Sequence, residues 1–139
     1  MTGPDGASPT VRVLIVDDQR PFRVAAAAVL RRMPGFELVG EAASGEEALA
    51  AAAGLAPDLV LMDINMPGLG GVEATRAITA VAHPPVVFLC STYQASDLPP
   101  DARDTGAAAY IDKEHLGADL LARLWTEHSP AGGAPTAAR

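Results

Sequence analysis

Along the chain, short unbroken apolar runs alternate with longer stretches in which apolar residues recur at helical spacing. Val11–Val16 (VRVLIV) is a short, β-branched run of the kind that forms a buried strand. Phe22–Arg32 (FRVAAAAVLRR) follows with helical spacing and is stopped by Pro34-Gly35. Phe36–Glu41 predicts a second strand. Ser44-Gly45-Glu46-Glu47 reads as a capping box, with Ser44 at the N-cap and Glu47 reaching back, and opens a helix through Ala53. Pro57-Asp58 introduces the third run, Leu59–Met62, which gives way to a turn-rich segment, Asn65–Gly71 (NMPGLGG), and a helix near Val72–Val81. Val86–Cys90 and Ala107–Ile111 predict the fourth and fifth strands. A last helix is expected over about His115–Glu127, with Leu116, Leu120, Leu121 and Leu124 at helical spacing and Trp125 beside them.

Five strands alternating with five helices predict an α/β fold with a parallel sheet covered on both faces. In such sheets the site lies beyond the carboxyl ends of the strands, near the switch in strand order. Chemistry is therefore expected just after each apolar run. The fourth helix is the irregular one: its segment, Ser96–Thr105 (SDLPPDARDT), carries Pro99 and Pro100, which fit only near a helix start. It is expected to begin late, near Pro100, or to be largely loop. Residues 1–10 are rich in Gly, Pro, Ser and Thr, and the tail from Ser129 to Arg139 has no core-forming periodicity. The expected organisation is a disordered segment over 1–10, one domain over 11–127 and a disordered tail over 128–139.

Composition sharpens this picture. Apolar residues make up 49% of the 139 residues and aromatics only 4%, so the core must be aliphatic, which suits helices on a sheet. A net charge of -7 would be repelled by a phosphate backbone, and no Lys/Arg cluster offsets it, so direct nucleic-acid binding is not expected. The single cysteine, Cys90, excludes an intrachain disulfide and suits a reducing cytoplasm. No apolar run reaches the roughly 18–20 residues that span a bilayer, and MTGPDGASPT lacks the features of a secretory signal. A cytoplasmic protein without membrane contact is expected.

The polar residues at the predicted strand ends form a coherent set. Asp17 and Asp18 follow the first strand, Asp63 ends the third, Ser91 and Thr92 end the fourth, and Lys113 lies just past the fifth. Three carboxylates in one crevice repel one another, and a hard cation with oxygen ligands compensates them. Carboxylates, a divalent cation such as Mg²⁺, a hydroxyl and a lysine are what phosphoryl transfer requires, because the protein mainly positions groups and neutralises charge.

VLIVDDQRPF, LVLMDINMPGLGGVEATRAI, VVFLCSTY and GAAAYIDK together resemble the receiver domains of bacterial two-component response regulators, over about Val11 to Glu127. The resemblance implies a flavodoxin-like doubly wound (βα)5 fold with strand order 2-1-3-4-5. It implies that Asp63 accepts a phosphoryl group from a sensor histidine kinase. It further implies Mg²⁺ held by Asp18, Asp63 and the backbone carbonyl of Asn65, with Asp17 acting through water. Lys113 would pair with the acceptor carboxylate and then with a phosphoryl oxygen. Ser91 would be the switch hydroxyl, on which counts from Asp63 and from Lys113 agree, and Tyr110 the switch aromatic. Asn65 and Tyr93 fall where the family tunes dephosphorylation. Signalling would pass through a protein-interaction surface to a downstream partner, with a homodimer as one form.

Residue type alone admits blander roles. Asp17 or Asp18 would serve as an N-cap before Pro21, Asp63 with the Asn65-Met66-Pro67-Gly68 that follows as a turn signal, Lys113 as a solvated loop lysine and Ser91 as a local backbone partner. Tyr110 would suit an ordinary core, and Cys90 reads as a small buried apolar residue. His83, His115 and His128 have no ligand partner at metal spacing. Three other functions compete with a single-domain regulator. GLGGVEATRAI resembles receivers joined to a helix-turn-helix DNA-binding domain, so the chain could be the receiver half of a transcriptional regulator. A small phosphatase acting through an aspartyl-phosphate would carry a second catalytic Asp where Asn65 stands. A pseudo-receiver would lack an acidic or lysine position, and all are present.

Overall fold

The computed structural model describes residues 10–92 and 104–130. The chain runs β1 (Val11–Val16), α1 (Arg20–Arg31), β2 (Phe36–Ala42), α2 (Gly45–Leu55), β3 (Leu59–Asp63), α3 (Gly71–Thr79), β4 (Val86–Ser91) and β5 (Ala109–Asp112). A 3₁₀ turn at Lys113–His115 and α4 (Ala118–His128) complete the described residues. All strand pairs are parallel, in the order β2-β1-β3-β4-β5, as the resemblance implied. The chain-order reversal sits between β1 and β3, so their carboxyl ends border the crevice where a site is expected.

Each expected strand is present, and the differences lie at the ends. β3 reaches Asp63 and β4 reaches Ser91, because both residues still pair with a neighbouring strand, Asp63 with Cys90 and Ser91 with Asp112. α1 begins at Arg20, since Pro21 fits the first helical turn, where its missing N–H costs nothing. The last helix is displaced: the 3₁₀ turn comes first, and α4 then runs to His128, with Ser129 N–H bonded to the Trp125 carbonyl. At α2, Ser44 Oγ accepts from Glu47 N–H at 3.1 Å, as expected of an N-cap, but Glu47 Oε1 accepts from Ala43 N–H at 2.9 Å rather than from Ser44. The predicted fourth helix, with Pro99 and Pro100, and Tyr93 lie largely or wholly outside the described residues, as do residues 1–9 and 131–139.

Strand alternation sorts the core into two clusters. On the α1/α4 face, Val13, Ile15, Leu59, Leu61, Phe88 and Cys90 pack with Leu30, Leu121 and Trp125. On the α2/α3 face, Leu14, Val16, Val60, Met62, Val87 and Leu89 pack with Ala48, Ala74 and Ile78. The first face holds the larger rings, including an edge-on contact of Phe36 with Trp125 at 6.4 Å between centroids. Among the described residues, no helix is long and apolar enough to cross a membrane.

Candidate functional site

The polar set stands at the last residue of a strand or one or two residues past it, on one rim. Asp17 follows Val16 and is fully buried, while Asp18 is exposed. Asp63 is 4% exposed at the end of β3, and Lys113 follows β5. The Lys113 ammonium lies 2.6 Å from Asp17 Oδ2 and 3.1 Å from Asp63 Oδ1, so one cation bridges two buried carboxylates. Burying those carboxylates without a partner would be very costly, and the lysine offsets that cost. The Lys113–Asp63 pair that the resemblance implies is present. The closer partner is Asp17, 96 residues away in the chain.

Asp17 does not cap α1. Gln19 holds the N-cap position without a side-chain bond, and Asp17 Oδ1 instead accepts the Gln19 N–H at 2.8 Å. The Asp17 carbonyl accepts from Arg23 Nη1 at 2.7 Å, and Arg23 Nε reaches Glu41 Oε1 at 3.1 Å. The acidic loop is thus tied to α1 and to the end of β2. Arg23 was not singled out in the sequence, where nothing marks it off from the other arginines.

Asp17, Asp18 and Asp63 each offer an oxygen, all within 4.8 Å of one another. Exposed Asp18 beside two buried carboxylates is a donor set of hard oxygens open on one side. It fits a small divalent cation that keeps part of its water shell.

Burial pushes the Asp63 carboxyl up to about 6, and the neighbouring Asp17 charge adds to the effect. The Lys113 charge and hydrogen bond, and the Asn65 N–H at 3.4 Å from Oδ1, pull against that rise. Burial alone would lower the Lys113 pKa, but its hydrogen bond to Asp17 and the two carboxylate charges outweigh burial and hold it above its ordinary value. The buried Cys90 thiol, pushed up to about 12 mainly by burial, is an inert core residue.

Ser91 is 2% exposed and by strand alternation shares the α2/α3 face with Leu89. Half-buried Tyr110 packs against the same face. The hydroxyl and the aromatic are therefore together, across the sheet from the direction continued by Ile15, Leu61 and Ile111 into Asp17, Asp63 and Lys113. Asn65 is exposed in the loop after β3.

Two more residues belong to this rim. Gly71, at the start of α3, lies so close to Asp63 that a Cβ there would collide with the Asp63 carbonyl, so only glycine lets the helix end approach. Phe22, in the first turn of α1, has its ring centroid 4.6 Å from Lys113 Nζ. The repeated glycines of GLGG were a signal for the first; no sequence signal distinguished Phe22 from core.

Residues 13–125 match the response regulator receiver domain family. The transcriptional regulatory protein PdtaR of Mycobacterium tuberculosis is 42% identical over 125 residues, 87% of this chain and 60% of that protein. The receiver domain of the putative response regulator NarL from Mycobacterium tuberculosis superimposes with a TM-score of 0.78 at 27% identity, covering 86% of this chain and 99% of that one. The CheX–CheY–BeF3–Mg complex from Borrelia burgdorferi gives 0.72 at 29% identity, covering 85% and 89%. The chain spans 48% of Response regulator GacA of Pseudomonas viridiflava and 60% of PdtaR, so it matches a part of these curated relatives. Its fold is the flavodoxin-like receiver fold, and the chain belongs to the response-regulator receiver family.

Proposed function

We propose that Asp63 is the phosphoacceptor of this receiver and that Lys113, Asp17 and Asp18 make its carboxylate competent to accept. The observation that carries the reading is the Lys113 ammonium bridging Asp17 and Asp63 inside a cluster of three carboxylates. Receiver domains are phosphorylated by sensor histidine kinases, and here the Asp63 carboxylate attacks phosphorus in line with the departing imidazole. Near neutral pH it is mostly ionised, since its pKa is about 6. Lys113 transfers its contact from Asp63 to an equatorial phosphoryl oxygen, which keeps the developing charge paired.

Asp18, Asp63 and the Asn65 carbonyl would hold Mg²⁺, with Asp17 reaching it through water. When bound, Mg²⁺ supplies charge neutralisation at the phosphoryl oxygens. Ser91 turns toward the phosphoryl group, and Tyr110, on the same face, follows it inward. The outcome is a changed protein-interaction surface, read by a downstream partner or by a second copy of the chain. The domain occupies 11–127, works in the cytoplasm, binds no nucleic acid directly and turns over no substrate beyond its own aspartyl-phosphate.

The partial coverage of PdtaR and GacA favours a second reading of the output, in which this receiver regulates an attached output domain. Both readings share the chemistry at Asp63. Incubation with acetyl phosphate is expected to phosphorylate the wild-type chain only with Mg²⁺, and Asp63→Ala not at all. Equal uptake by the two proteins would overturn the assignment.

A further inference from the structure

We propose that Phe22 is a positioning residue whose ring face holds the Lys113 ammonium in place between Asp17 and Asp63. This rests on the phosphoacceptor reading and adds to it a residue outside the charged set. An ammonium has three N–H directions. Two are spent on Asp17 Oδ2 at 2.6 Å and Asp63 Oδ1 at 3.1 Å. The Phe22 ring lies beside the same nitrogen, with its centroid 4.6 Å away, well inside the range of a cation–π contact. Only 14% of the Lys113 side chain is exposed, so little water screens that contact.

The ring is itself held. Phe22 is half-buried and packs against the α1/α4 core cluster, on the face that continues into Asp17, Asp63 and Lys113. Its partner is particular, because Lys113 is the only lysine in the sequence.

A ring suits this position better than a polar neighbour. A carbonyl or hydroxyl would offer a directional acceptor competing with the carboxylates. A π face attracts the cation without fixing one N–H direction, so the ammonium stays anchored while it exchanges Asp63 oxygen for phosphoryl oxygen. The simpler role, an apolar plug at the start of α1, would be filled equally well by leucine.

The test compares wild type, Phe22→Leu, and a protein with trifluorophenylalanine placed at position 22, which keeps the ring's shape and depletes its π charge. With saturating acetyl phosphate and Mg²⁺, both altered proteins are expected to take up phosphate about three- to tenfold more slowly, while still melting cooperatively well above the assay temperature. Lysine labelled with carbon-13 gives one set of side-chain signals. Its ε-methylene protons are expected upfield in wild type and shifted back in Phe22→Leu. A wild-type rate in the trifluorophenylalanine protein, or the same methylene position in wild type and Phe22→Leu, would overturn the proposal. If wild type itself takes up no phosphate, the phosphoacceptor reading falls and this inference falls with it. Rates that depart from this pattern in an active wild type count against Phe22 alone.

Discussion

The two faces of the sheet end in different chemistry. The face covered by α1 and α4 runs through Ile15, Leu61 and Ile111 into Asp17, Asp63 and Lys113, a set already paired at hydrogen-bond distance. The face covered by α2 and α3 runs through Leu89 into Ser91, with Tyr110 packed on the same side. The first face thus ends in two buried carboxylates bridged by one ammonium. The second ends in a small hydroxyl and a half-buried ring, neither of which carries a formal charge. On the proposed reading, this division separates accepting the phosphoryl group from reporting it, and substitutions on the two faces are expected to differ in size accordingly.

The largest effect is expected from Lys113→Ala. Removing a preorganised positive group from a developing phosphoryl charge typically costs roughly 10²–10³ in rate. The initial rate of uptake from acetyl phosphate should fall by that much. A fall no greater than that of a Ser91 variant would erase the distinction between the faces.

Next comes a stability effect of opposite sign to most site substitutions. A carboxyl held near 6 when folded and near 3.8 when unfolded is penalised in its ionised form. Between about pH 4 and 6 the folded chain keeps a proton that the unfolded chain has released, so stability falls as pH rises through that window. Above it both forms are ionised and the penalty is complete, about 3 kcal/mol. Below it both are protonated and the penalty vanishes. Asp63→Asn should therefore stabilise the metal-free protein by up to that amount at neutral pH and by much less near pH 4, read by urea unfolding at the two pH values. A destabilised Asn variant at neutral pH would contradict the balance of burial and Asp17 over Lys113.

The smallest effect belongs to the other face. Ser91→Ala removes one hydrogen-bonding group worth about 1 kcal/mol, so uptake should slow by less than about tenfold while the downstream response is lost more fully. Parallel assays of uptake and of phosphate-dependent self-association, by light scattering, would check it. Loss of uptake equal to that of Lys113→Ala would place Ser91 with the charged set.

Much of this arrangement is legible in the chain because parallel α/β sheets present their strand ends to one rim. VRVLIV followed by Asp17-Asp18, and LVLM followed by Asp63, needed only the strand rule to be brought together. What strand order does not specify is which oxygen a long lysine side chain reaches. That depends on twist and on rotamers, so the Asp17–Lys113 contact is not legible in the chain. Phe22 was hidden for a different reason: an aromatic near a helix start satisfies the helical apolar pattern whether or not a cation sits on its face. Gly71 lay between the two cases, since a glycine-rich turn marks close approach without naming what is approached.

On the proposed reading, Asp63 carries the phosphoryl group. Borohydride reduction of the acetyl-phosphate-treated protein converts an aspartyl-phosphate to homoserine, and peptide mass mapping then locates it. Homoserine is expected at position 63 alone, dependent on donor and Mg²⁺. Homoserine at position 17 or 18, or none under conditions where phosphate is incorporated, would contradict it.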